Sequence, residues 1–133
     1  MLTVSALCLA MAVYYEARSE SRDAQMAVAE VILNRVNSPK FPNTICEVVK
    51  QDKGPKAYDC QFSFYCDGKP ERMLEAEAWY TAQVISLDAM EDRNTLGLTS
   101  MWYHAQECDP EWNKKLKFDD KIGAHLFYSE PSK

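Results

Sequence analysis

Glu16 is the residue of this chain best placed by its neighbours to do chemistry. Leu2, Ala6, Leu9, Val13 and Glu16 recur at steps of four and three. At helical spacing they share one stripe of a helix that runs through Leu2–Tyr15 and ends near Ser19. The apolar members of the stripe must pack against protein, so the carboxyl sits on a face that excludes water. Burial penalises the ionised form, and so does the negative end of the helix dipole; both raise the pKa. An acid that keeps its proton near neutral pH can give it to a leaving group. A Glu at a helix end can also turn out to solvent, and spacing alone does not separate the two.

Glu20 lies one turn further on. If the helix continued through it, the two carboxyls would face each other and raise each other's pKa. If the helix stops at Ser19, Glu20 caps the next helix or pairs with Arg18, Arg22 or Arg35. The preference of acids for helix starts favours this second, structural role.

The elements that must hold these residues are mostly helical. A second helix is expected from about Ser21, a good N-cap, to Asn37, with Val28, Val31, Ile32 and Val36 inward and Ser38-Pro39 as its stop. Asn34 and Arg35 lie inside it and are expected to tie it to the loop before Glu16. Asn43 is read as the cap of a short helix, Thr44–Val49. Lys50–Pro70 carries Lys53-Gly54-Pro55, Asp67-Gly68 and the rings Phe62, Phe64 and Tyr65. It reads as an irregular loop or small hairpin, too long for a mere connection. A third long helix is expected over Glu71–Met90, with Met73, Ala76, Tyr80, Val84 and Leu87 as its inner stripe, widened by Leu74, Ala78 and Ile85. Pro110-Glu111-Trp112 reads as a turn. Ile122–Tyr128 is a short strand or a last helical turn. No repeat and no linker interrupts residues 1–133, so one domain is expected.

A chain of 133 residues, 47% hydrophobic and 26% charged, can bury one core. Its formal net charge of -5 argues against nucleic acid, whose phosphates need clustered cations. It also gives no long-range attraction to an anionic wall or membrane. The apolar run is too short to span a bilayer before Glu16 is reached. Ala10-Met11-Ala12 imitates a signal-cleavage site, but no Lys or Arg precedes the run and cleavage would destroy the helix. It is read as a core helix, with no ordinary export signal.

The five cysteines are Cys8, Cys46, Cys60, Cys66 and Cys108. Cys8, inside the apolar helix, is expected to act as a small buried hydrophobe. Cys60 and Cys66 are the first pair to consider for a disulfide; pairing with Cys46 stays open, because connectivity is not readable from sequence. His104/Cys108 and Cys60/Cys66 lack the close spacing of structural zinc ligands, so no metal and no cofactor are expected.

Several ordered segments together resemble the SleB-like cell-wall hydrolases, which include spore cortex-lytic catalytic domains. They are Tyr15-Glu16-Ala17-Arg18, Gln25-Met26-Ala27-Val28-Ala29, Val31-Ile32-Leu33-Asn34-Arg35-Val36 and Phe41-Pro42-Asn43-Thr44-Ile45-Cys46. Gln61-Phe62-Ser63-Phe64, Cys66-Asp67-Gly68, Tyr103-His104 and Ile122-Gly123-Ala124-His125-Leu126-Phe127 continue the likeness over nearly the whole chain. The resemblance implies an α+β, predominantly helical, lysozyme-like single domain that acts on peptidoglycan glycan strands; a monomer is expected. It makes Glu16 the catalytic acid of a lytic transglycosylase. A hydrolytic muramidase, or the amidase of older family naming, is the alternative reaction; a non-catalytic glycan-binding module is the alternative class. Two departures stand out: Tyr15 replaces the usual Gly before the acid, which reshapes the cleft, and Ser19 replaces the Gly of Glu-Ala-Arg-Gly-Glu.

The same likeness points to substrate-binding residues. Gln61 and Ser63 would hydrogen-bond sugars from a hairpin beside the catalytic helix, unless Phe62 and Phe64 pack inward and leave both facing solvent. Tyr103 would stack on a sugar. Glu20 and His104 are weaker candidates, and a lone His is more often a satisfied structural group. With no wall-binding domain in sight, a phage endolysin released by another protein is the expected setting, and a bacterial remodelling enzyme its rival.

Overall fold

The computed structural model describes residues 2–51 and 75–131. Gln61, Ser63, Cys60, Cys66 and the expected loop or hairpin fall outside the described residues.

Helix α1 spans Val4–Ala17 and starts where the Thr3 hydroxyl accepts the Ala6 N–H at 3.1 Å. It is buried on several sides, with Leu9, Ala10, Ala12, Val13 and Tyr14 all at zero exposure. That makes it a central helix rather than an amphipathic surface one. Helix α2, Arg22–Val36, begins at the expected cap, Ser21, and is buried continuously from Ala24 to Ile32. Runs of Ala and Val let it approach α1 closely. Helix α3, Ile45–Lys50, is capped by Thr44 rather than Asn43: the Thr44 hydroxyl accepts the Glu47 N–H at 3.2 Å. Helix α4, Ala76–Met90, packs on both α1 and α2.

Two expectations about packing are corrected here. Cys8 is not a free buried thiol: it is disulfide-bonded to Cys46, with Cα atoms 5.3 Å apart, and so pins α3 to α1. The inner stripe of α4 is also different. Tyr80 is 68% exposed and Leu87 38%, while Ala82, Ile85, Ser86 and Ala89 face inward. Ser86 reaches α1 by donating its hydroxyl to the Ala6 carbonyl at 2.8 Å.

The C-terminal part is a three-stranded antiparallel sheet of order β1-β3-β2, made of β1 (Trp102–Ala105), β2 (Lys117–Ile122) and β3 (His125–Ser129). Residues 122–128 are therefore the close of one hairpin strand and most of the next, not a helical turn. The expected turn at Pro110-Glu111-Trp112 opens a 3-10 helix, Glu111–Lys115. A bulge between Phe118 and Asp120 frees Asp119 to accept the hydroxyls of Ser100 (2.5 Å) and Ser129 (2.9 Å).

The sheet is fixed to the helices mainly through α2. Glu30, 6% exposed inside an apolar run, accepts the N–H groups of Leu96 (2.7 Å) and Leu98 (2.9 Å). Asn34 donates to the carbonyls of Leu98 (2.8 Å) and Ser100 (2.9 Å), and Arg35 Nε donates to that of Met101 (2.7 Å). Asn34 and Arg35 thus tie α2 to the segment leading into β1, not to the loop before Glu16. Arg35 is fully buried, its guanidinium 4.8 Å from the Phe41 ring centre, and burial lowers its pKa to about 10. Among the described residues no helix is long and apolar enough to cross a membrane.

Candidate functional site

Glu16 lies in the last turn of α1, half-buried, at the corner where the chain turns into α2. The corner is tight: the Glu20 N–H donates to the Ala17 carbonyl at 3.0 Å, and Ser21 already caps α2. The helix therefore ends before Glu20, and the two acids part.

The Glu16 carboxyl meets one side chain from the sheet. Tyr103 Oη donates to Glu16 Oε1 at 2.8 Å, joining residues 87 apart in sequence. Burial raises the Glu16 pKa, and the Tyr103 hydrogen bond opposes this by favouring the ionised form. Burial, reinforced by Glu16, lifts the Tyr103 phenol well above its ordinary value, so it stays protonated and keeps its role as donor. The result is a reluctant acid held by Tyr103. Tyr103 is expected from the sequence to meet substrate; here its hydroxyl engages Glu16, and its ring stacks on Phe127 with centres 5.5 Å apart.

Glu20 points the other way along the sheet. Its Oε1 accepts the Ala124 N–H of the β2–β3 turn at 2.8 Å and lies 4.0 Å from His125 Nδ1. Ser21, not Glu20, caps α2, and the Glu20 carboxyl engages the Ala124 N–H and His125 rather than the arginines expected from the sequence. His104 is drawn away altogether. Adjacent strand residues point to opposite faces, and its ring stacks on Tyr128, with Nε2 2.9 Å from the Tyr128 hydroxyl and Nδ1 2.8 Å from the Ala105 carbonyl. Both ring nitrogens are engaged on the face of β1 opposite Tyr103.

Two residues with no role assigned from the sequence complete the site. His125 lies edge-on to Tyr103, centres 5.3 Å apart, and Phe127 stacks on it. Their spacing of two on a strand was the available signal, once 125–129 is read as a strand. Burial lowers the His125 pKa, against smaller opposing effects of Glu20 and Glu107, so its imidazole is neutral at pH 7. Arg18 stays on the helical side, 5.1 Å from the Tyr14 ring centre and 3.4 Å from a Glu75 oxygen.

Among the described residues no group of three or more His, Cys, Asp or Glu is arranged to hold a metal ion. A cavity of about 640 Å³ is lined by Asn34, Lys40, Met101, Lys117 and Glu130, among others, and its described lining does not include Glu16 or Tyr103.

A helical core that presents one half-buried Glu to a small antiparallel sheet defines a lysozyme-like α+β architecture. Residues 19–128 match the cell wall hydrolase family, and the chain belongs to that family. The spore cortex-lytic enzyme of Bacillus subtilis strain 168 is 33% identical over 119 residues, 90% of this chain and 35% of that protein. The Bacillus cereus ATCC 14579 spore cortex-lytic enzyme is 34% identical over 119 residues, 90% of this chain and 42% of that one. The chain thus spans less than half the length of these relatives. Among solved structures, the catalytic domain of the germination-specific lytic transglycosylase SleB from Bacillus anthracis superposes with a TM-score of 0.70 at 30% identity, covering 97% of each chain. The catalytic domain of the Bacillus cereus SleB protein gives 0.68 at 30% identity, covering 97% and 93%. The family match begins at Ser19, so it does not itself include Glu16.

Proposed function

We propose that this chain is a peptidoglycan-cleaving catalytic domain that works as a lytic transglycosylase, with Glu16 as its acid and base. The observation that carries the reading is the half-buried Glu16 carboxyl with raised pKa, held by Tyr103 at 2.8 Å. The names of its relatives, spore cortex-lytic enzymes and a lytic transglycosylase, support the same chemistry.

Retaining and inverting glycosidases use two carboxyl groups flanking the scissile bond. Here the nearest carboxylate in sequence, Glu20, is occupied by the Ala124 N–H. A single carboxyl suffices if the sugar supplies its own nucleophile. Protonated Glu16 gives its proton to the glycosidic oxygen as the C1–O bond breaks, and the departing sugar leaves with a free hydroxyl. The Glu16 carboxylate then takes the proton of the 6-hydroxyl of the N-acetylmuramic acid ring while that oxygen bonds to C1. A 1,6-anhydro end forms, Glu16 returns to its protonated form, and no water is consumed. The substrate's own N-acetyl group and nearby polar groups stabilise the positive charge that develops on the ring.

Incubation with purified sacculi tests this. The expected products end in 1,6-anhydro-muramic acid, lighter by one water than reducing ends, and Glu16→Gln sharply reduces their release. Reducing ends would assign a muramidase instead; an active Glu16→Gln protein would remove Glu16 from the chemistry. The relatives are bacilli proteins named for spore cortex lysis, which supports a bacterial remodelling setting over the phage endolysin expected from the sequence.

A further inference from the structure

We infer that Glu20 is a positioning residue for Glu16: by holding the Gly123-Ala124 turn against the α1–α2 corner, it sets where Tyr103 meets the catalytic carboxyl. The inference rests on the proposed role of Glu16 and adds a second point of attachment between helix and sheet.

Two residues of one corner grip the sheet. Glu16 Oε1 accepts the Tyr103 hydroxyl and Glu20 Oε1 accepts the Ala124 N–H, both at 2.8 Å. The second grip is shaped for close approach. Gly123 has φ +60°, and a Cβ there would stand 2.6 Å from Glu20 Oε1 and 3.0 Å from Ala24 Cβ. A side chain at that position would push the carboxylate off the turn, so glycine lets the backbone come down on it. Glu20 is itself fixed, its N–H on the Ala17 carbonyl and its carbonyl accepting Gln25 Nε2 at 3.1 Å.

From that turn β3 begins, and its inward residues carry Tyr103. His125 follows Ala124 directly and abuts the Tyr103 ring; Phe127 is the register partner of Tyr103 and stacks on it. A turn that drifts outward takes His125 and Phe127 with it and lets the phenol move off Glu16. The hydrogen bond of Glu20 thus bears on the reacting acid through backbone and ring contacts, without touching substrate.

Length and charge of the Glu20 side chain separate this role from others. Glu20→Gln keeps an acceptor at the same reach, whereas Glu20→Asp keeps the charge but falls one methylene short. Loss of alignment by about 1 Å can cost about 100-fold in rate. Glu20→Asp is therefore expected to lower kcat on sacculi by about 10- to 100-fold with KM within about threefold. Glu20→Gln should stay within about threefold of wild type, since its side-chain oxygen keeps the reach to the Ala124 N–H, although a neutral acceptor is weaker than a charged one. Gly123→Ala, which attacks the same contact from the turn, should reproduce the kcat loss. Circular dichroism confirms that each variant is folded, and the conservative Gln variant keeps the comparison meaningful if the others are unstable. The inference is overturned if Glu20→Asp works normally, if Glu20→Gln is as impaired as Glu20→Asp, or if the loss lies in KM, which would put Glu20 on the substrate. Glu16→Gln assayed alongside keeps the two readings apart. A silent Glu20 series with inactive Glu16→Gln defeats only this inference; an active Glu16→Gln defeats the site.

Discussion

Glu16 and Tyr103 shift each other's protonation. Burial raises the Glu16 pKa while the Tyr103 hydroxyl lowers it. General acid catalysis needs the protonated form, so the alkaline limb of kcat/KM should follow Glu16. Tyr103→Phe removes the opposing hydrogen bond, so the Glu16 pKa rises further and the alkaline limb moves to higher pH. A limb that stays put, or moves down, would contradict the contact. Glu16→Gln should lower turnover by about 100- to 10,000-fold, the usual worth of a positioned acid. It should also make the protein more stable at pH 7. The sign follows from linkage: between the unfolded pKa and the raised folded one, the native state binds more protons than the unfolded chain. Stability contributed by this group is full below the unfolded value and is lost as pH rises through the folded one. A neutral Gln lacks that loss, so its advantage in thermal melting should be present at pH 7 and fade toward pH 4. Glu16 was legible in the sequence because an acid on an apolar stripe is conspicuous. Its partner was not, because nothing local links residues 87 apart.

At the scale of elements, α1 and α2 were legible and the rest only partly. Both are long runs with strong caps, Ser21 above all, and both are buried nearly all round, so a misjudged stripe costs nothing in the reading. Helix α4 shows the opposite case. It is apolar on several faces, and only contact with α1 and α2 selects Ile85 and Ala89 over Tyr80 and Leu87. The sheet was largely hidden because β2 is Lys117–Ile122, polar, short and bulged, without the alternation that marks a strand. The Cys8–Cys46 bond was missed because a cysteine in an apolar helix looks like core. That bond closes a loop of sequence separation 38 and holds α3 against the helix that carries Glu16. Removing it, as Cys8→Ala with Cys46→Ala, should cost about 2–4 kcal/mol, mostly by freeing the unfolded chain. Urea unfolding under oxidising and reducing conditions measures this: the wild type should fall to the level of the double variant on reduction. A double variant as stable as the oxidised wild type would leave the bond without a structural role.

Over the whole molecule, charge and the proposed target are mismatched. The chain carries a formal net charge of -5, and peptidoglycan strands bear carboxylates on their peptide stems. Approach is therefore opposed by the long-range field, and affinity must come from short-range contacts near Glu16. Repulsion between exposed charges is screened over about 10 Å at 0.1 M salt and about 30 Å at 0.01 M. Raising ionic strength between these limits should therefore increase kcat/KM of this chain on intact sacculi. The gain should appear in the association step, leaving kcat little changed, because the half-buried Glu16–Tyr103 pair is in direct contact and is screened much less than distant exposed charges. It should shrink on short, uncharged glycan fragments that present no stem carboxylates. A steady fall in kcat/KM with salt would mean instead that a local cluster of cations governs encounter, with lysines such as Lys40 and Lys117 at the rim of the cavity beside β2 the first to replace.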